Sequence, residues 1–253
     1  MKKDEFNEID ATKENEFRES KKIIERTISN NIKLKSKNES QKNLINSIKN
    51  NDITICSGQA GSGKTYITLG HALKSIRKLE SNYRRIYLIK SVLPLKGEEI
   101  GFLKGDYLDK IFPHMQSYYL NLEKFISKSS INTLLNEEIL KPFPVAFLRG
   151  VTIDNSIIIV DEAQNLSMTN IQTIMSRFSD SSKMIILGDL NQIDLKNRED
   201  SSLNKIIKIF KDNNIDGINV VEMDENDNNV RNPLIKHIEN SFNEFYKNND
   251  YGK

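Results

Sequence analysis

CSGQAGSGKT, residues 56–65, follows the apolar run Ile53–Ile55 and precedes a segment in which Ile67, Leu69, Leu73 and Ile76 recur at helical spacing. Gly58-Gln59-Ala60-Gly61-Ser62-Gly63-Lys64-Thr65 fits G-x-x-x-x-G-K-[ST], a loop that wraps phosphate between a strand and a helix. The chemistry asks for these residue types. Glycine tolerates positive φ, so successive backbone N–H groups can turn inward. Those donors and the helix N-terminus hold phosphate oxygens. Lys64 supplies a point charge at the outer phosphates, and the Thr65 hydroxyl is a ligand for Mg²⁺. The loop alone specifies a nucleotide and leaves the reaction open.

Outward from the loop, apolar runs alternate with helical segments. "DITICS", "RIYLIK", "PVAFLRG", "SIIIVDE", "KMIILGD" and "INVVEM" read as six strands. Several are continuous rather than alternating, as in strands covered on both faces, which implies a parallel sheet. "QKNLINSIKN", "LNKIIKIFKD" and "PLIKHIENSFNEFYK" read as helices. The expected fold is α/β, doubly wound, with ligands at the carboxyl ends of the strands. Residues 1–36 form a charged N-terminal arm, partly helical or disordered. Residues 37–253 form a single domain with a helical insertion at about 101–140.

The totals narrow the class. The chain has 253 residues, a net charge of +2 and one cysteine, Cys56. No intrachain disulfide can form, which fits a cytoplasmic protein. No apolar run reaches the roughly 20 residues that span a bilayer, so no membrane partner is expected. His71, His114 and His237 are far apart in sequence and give no zinc pattern.

Asp161 and Glu162 end a buried strand, where acids are costly unless they are used. Asp161 is placed to hold Mg²⁺, and Glu162 to orient and deprotonate an attacking water. Water attack means hydrolysis, and the pair disfavours a small-molecule kinase. Asp189 and Gln192 lie past the next strand on the same edge of the sheet. From there Gln192 can report on the γ-phosphate. Gln41 precedes Gly58 by 17 residues and offers an amide for the edge of adenine.

"GQAGSGKTY", "KGEEIGFLKGD", "FLRG", "IIIVDEAQN", "SKMIILGDLNQIDL" and "NNVRNPL", in this order, resemble the PhoH-like family of P-loop ATPases, relatives of superfamily 1 helicases. The similarity runs from about Gln41 to about Phe245, and the chain looks like a minimal bacterial or phage form. The resemblance implies a RecA-like core, ATP and Mg²⁺ as cofactors, and a nucleotide-contacting stretch reaching Tyr66. It also implies action on RNA or single-stranded nucleic acid, and assembly into rings, hexamers by expectation. It marks Arg231 as the residue that meets the γ-phosphate, with Arg149 as a second candidate. The chain departs from the family at Lys90-Ser91, where many members carry Arg-Pro; lysine keeps the charge but loses the planar fork.

About 210 residues hold one RecA-like lobe, so a neighbouring copy is expected to complete the site. Nucleic acid is expected on the segment from Lys90 to Lys110, through Lys90, Lys96, Phe102 and Lys104. Lysines neutralise phosphates, and an aromatic ring stacks a base. The alternative is an ATP-dependent regulator of a protein partner, such as a nuclease, without strand activity.

Overall fold

The computed structural model describes residues 3–91, 107–145, 148, 150–195, 197–224 and four isolated positions, Leu234, Ile238, Ser241 and Phe245. The sheet has six strands: β1 (Ile53–Ser57), β2 (Arg85–Lys90), β3 (Leu140–Pro142), β4 (Ser156–Asp161), β5 (Lys183–Gly188) and β6 (Ile218–Glu222). Their order is β3-β2-β4-β5-β1-β6, and every pairing is parallel. β4, which ends in Asp161, is thus separated from β1, which leads into the glycine loop, by a single strand. That strand is β5, and it ends at Gly188, beside the loop.

The apolar runs are continuous because both faces are buried. Ile86 and Leu88 of β2, Ile157 and Ile159 of β4, and Ile185 and Leu187 of β5 enter one core. Tyr87, Ile89, Ile158, Val160, Met184 and Ile186, the alternate residues, enter the other. The first core is roofed by α1 (Lys3–Thr27), α2 (Glu39–Asn50), α3 (Lys64–Arg77), α4 (Tyr107–Leu122) and α5 (Lys128–Asn136). The second is covered by α6 (Met168–Met175) and α7 (Leu203–Asn213). Helices on both faces make the sheet doubly wound.

Four features differ from the expectation or refine it. The third strand is Leu140–Pro142, not "PVAFLRG"; Pro144, Val145, Leu148 and Gly150 lie outside any strand. Pro142 is tolerated because β3 is an edge strand. The end of the charged arm joins the core: Ile24, Ile28 and Ile32 are buried. Each contributes roughly 1.5–3 kcal/mol by leaving water. Lys21 Nζ also donates to the carbonyls of Ile76 and Lys78 at the C-terminus of α3, where a cation is favoured. The insertion is helical as α4 and α5 within its described part. The C-terminal segment expected to be helical is described at four positions only, and all four are helical.

Candidate active site

The site forms where β1, β4 and β5 end. Its floor is the glycine loop. Gly63 has φ 87°, and a Cβ there would lie 2.6 Å from the Gln41 side-chain nitrogen. Both facts require glycine at this position. α3 starts at Lys64, so its first N–H groups face the loop. Lys64 Nζ is held over the loop by the carbonyls of Gly58 (2.6 Å) and Gln59 (2.9 Å).

Gln41 braces the loop from behind. It is 2% exposed. Its Nε2 donates to the Ser62 carbonyl (2.9 Å), and its Oε1 accepts from the Lys37 N–H (2.8 Å). Its own N–H donates to Asn38, the N-cap of α2. The side-chain amide expected at an adenine edge lines the cavity and is held by the Lys37 N–H and the Ser62 carbonyl.

Thr65 Oγ1 donates to Asp161 Oδ2 at 2.9 Å, joining loop and acid across 96 residues of sequence. The other Asp161 oxygen accepts from the Glu162 N–H (3.0 Å). Asp161 is 6% exposed. Burial, and then the Glu162 charge, raises its pKa; the Thr65 hydroxyl, Lys90 and the Glu162 N–H pull it back. Glu162 lies at φ 56°, ψ 37°, the left-handed region, which costs a non-glycine residue of order 1–3 kcal/mol. Such strain gathers where a side chain must be aimed.

Asp189 closes the far side. Its Oδ2 accepts from the Ala60 N–H (2.7 Å) and its Oδ1 from the Asn191 N–H (2.9 Å). It therefore pins the loop to the turn that carries Gln192. Between this turn and Glu162 lies Gln164, which stands out in the sequence only as part of the motif "IIIVDEAQN". Its Nε2 donates to Glu162 Oε2 (2.7 Å) and to the Gln192 carbonyl (3.0 Å), and its Oε1 accepts from the Asp189 N–H (3.0 Å).

These groups surround a cavity of about 660 Å³, lined among others by Gln41, Ala60, Gly61, Gly63, Lys64, Thr65, Tyr66, Asp161, Glu162, Asp189 and Gln192. Lys37, Ser117, Asn121 and Lys124 also line it and are not marked by any motif. Ser117 and Asn121 lie on α4 and Lys124 just beyond it, at i, i+4 and i+7, while Met115, Tyr118 and Leu122 turn to the core. That spacing is the signal the sequence offers for them. Lys124 Nζ sits 5.4 Å from the Tyr66 ring, which stacks on Phe125.

Lys90, expected on a nucleic-acid surface, pairs with Asp161 in the β2–β4 register and donates to Ser117 Oγ (3.0 Å). The β2 residue that ends the strand is carried to the acid by the sheet itself. Lys96, Phe102, Lys104, Arg149 and Arg231 lie outside the described residues. Cys56 is fully buried in β1, and burial pushes its thiol up to about 12, so it supplies no nucleophile. Among the described residues no helix is long and apolar enough to cross a membrane.

A hydroxyl and a carboxylate that share a hydrogen bond beside the glycine loop form an oxygen donor set. That set fits Mg²⁺, which takes few protein ligands and fills its shell from phosphate and water.

A family profile described as PhoH-like protein matches residues 33–243. A PhoH-like protein of Bacillus subtilis is 33% identical over 233 residues, covering 91% of this chain and 71% of the relative. One from Synechocystis is 31% identical over 233 residues, covering 92% and 69%. Among solved structures, the large terminase of a thermophilic bacteriophage in complex with ADP aligns with a TM-score of 0.41 at 11% identity, covering 79% of this chain and 49% of that one.

Proposed function

Because the chain belongs to the PhoH-like family, we propose that it binds ATP with Mg²⁺, hydrolyses it, and couples hydrolysis to RNA or single-stranded nucleic acid. The observation that carries hydrolysis is the Thr65–Asp161 hydrogen bond next to a strained, aimed Glu162. The loop N–H groups and Lys64 bind the phosphates. Thr65 and Asp161 would hold the metal, which would neutralise developing phosphate charge when bound. Glu162 accepts the proton of the attacking water. Gln192 touches the outer phosphate, and the turn held by Asp189 keeps it at the cavity edge.

The nucleic-acid reading rests on connectivity and composition. The segment with Lys96, Phe102 and Lys104 leaves β2 at Lys90, beside Asp161, and returns as α4, which lines the cavity. The chain holds one lobe, so a neighbouring copy in a ring, hexameric by analogy with the family, presents the arginine; Arg231 and Arg149 are the candidates.

Phosphate release from ATP, followed with and without single-stranded RNA or DNA over a range of protein concentrations, tests this reading. Severalfold stimulation, with a per-subunit rate that rises with concentration, is expected. Hydrolysis indifferent to every polynucleotide transfers the function to regulation of a protein partner. A concentration-independent rate from a monomer contradicts the shared site.

A further inference from the structure

We propose that Gln164 is a positioning residue that holds the Glu162 carboxylate and the Gln192 turn in one register. The inference rests on the hydrolysis reading above and deepens it. Gln164 does not line the cavity. It is 0% exposed, although it stands two residues from an acid that does line the cavity.

A buried primary amide must find partners for two donors and an acceptor. Gln164 uses all three within the site's own machinery. One N–H group goes to the Glu162 carboxylate and one to the Gln192 carbonyl, while its oxygen receives the Asp189 N–H. The packing leaves it little room: a Cβ at Gly188 would lie 2.6 Å from the Gln164 oxygen. Asn165 adds a second tie. Its Oδ1 accepts from the Asp194 N–H (2.8 Å), and its Nδ2 donates to Asp194 Oδ2 (3.1 Å). The 189–194 turn is thus fastened to residues 164 and 165 at two points.

Glu162 needs such a hold. Its left-handed backbone points the side chain out of the strand direction, and the residue is only partly buried. A carboxylate fixed to the carbonyl of Gln192 through one amide cannot move independently of that turn. When phosphate contact shifts the turn, the water-activating group shifts with it. Gln164 therefore links recognition of the outer phosphate to the placement of the base. A structural filler would stabilise the strand end without distinguishing binding from turnover.

The test compares the full-length wild-type chain with Gln164→Met and Gln164→Glu. Methionine keeps the bulk and removes the hydrogen bonds. Glutamate keeps the shape and the acceptor for the Asp189 N–H but, when ionised, cannot donate to Glu162. Fluorescent ATP titration gives affinity, and single-turnover hydrolysis gives the chemical rate. In whichever variants melt as cooperatively as the wild type, affinity is expected within about twofold and the rate is expected to fall about 10- to 100-fold. Adding Gln192→Ala is expected to cost less in the Gln164→Met background than in the wild type, because the register is already lost. A wild-type rate in either folded variant overturns the proposal. So does a matched loss of affinity and rate, or full additivity with Gln192→Ala. A wild-type chain that binds ATP without hydrolysing it removes the hydrolysis reading itself, and this proposal with it.

Discussion

Asp161 and Glu162 are adjacent acids, and Asp161 is nearly sealed from water. Its raised pKa means that the folded chain binds this proton more tightly than the unfolded chain, so ionised Asp161 weakens the fold at neutral pH. The Thr65 hydroxyl, Lys90 and the Glu162 N–H offset part of that cost. His71 shows the opposite sign at the other end of the sheet. Burial, and then the charges of Lys183, Lys78, Lys74 and Lys49, lowers its pKa from 6.5 to about 4. The unfolded chain takes up a proton below about pH 6.5 that the folded chain refuses until about pH 4. The stability from neutral His71 is complete above that window and is lost as pH falls through it. Between about pH 7 and about pH 5.5 the loss from this group is about 1 kcal/mol, at roughly 1.4 kcal/mol per pH unit. Denaturant unfolding at the two pH values should show a smaller loss for His71→Gln than for the wild type. Equal losses would contradict a buried neutral imidazole.

At the scale of elements, α4 is the part of the architecture that changes the picture of the site. It is pinned to β2 by the Tyr118 hydroxyl, which donates to the Ile89 carbonyl. That contact turns Ser117 and Asn121, with Lys124 after them, toward the nucleotide loop. Loss of Asn121 and Lys124 together should weaken ATP binding by about 5- to 20-fold, as expected for one or two charge-assisted contacts. The Asn121→Ala, Lys124→Ala double variant should keep its fold, since Lys124 is exposed. Unchanged affinity in a fluorescent nucleotide titration would remove α4 from the binding wall.

The elements also show what can be read in advance. β1, β2, β4 and β5 are legible because burial on both faces leaves nearly uninterrupted apolar runs, and the edge strand β6 because Ile218, Val220 and Val221 still mark it. β3 is not: three residues ending in proline at an edge carry no such run, and "PVAFLRG" imitates one. The glycine loop, Asp161, Glu162 and Asp189 are legible because their chemistry dictates residue type and spacing. Gln164 and Gln41 are harder. A buried glutamine is defined by partners far away in sequence, and those partners appear only when β4, β5 and α2 are assembled. The place of Lys90 beside Asp161 is hidden for the same reason: strand register, not composition, sets it.

The described residues build one parallel sheet, and the candidate site's groups gather at the carboxyl ends of three of its strands. Loop, acid pair and polar turn come from separate stretches of sequence and meet through hydrogen bonds between Thr65 and Asp161, Ala60 and Asp189, and Gln164 and Glu162. This junction is where the proposed hydrolysis of ATP takes place. The most direct test is phosphate release by the wild type, Lys64→Ala and Glu162→Gln with Mg²⁺ and polynucleotide present. Release by the wild type is expected, with a loss of at least about 100-fold in each variant and with Glu162→Gln still binding ATP. Hydrolysis by Lys64→Ala at the wild-type rate, or none by a wild-type chain that binds ATP, would contradict it.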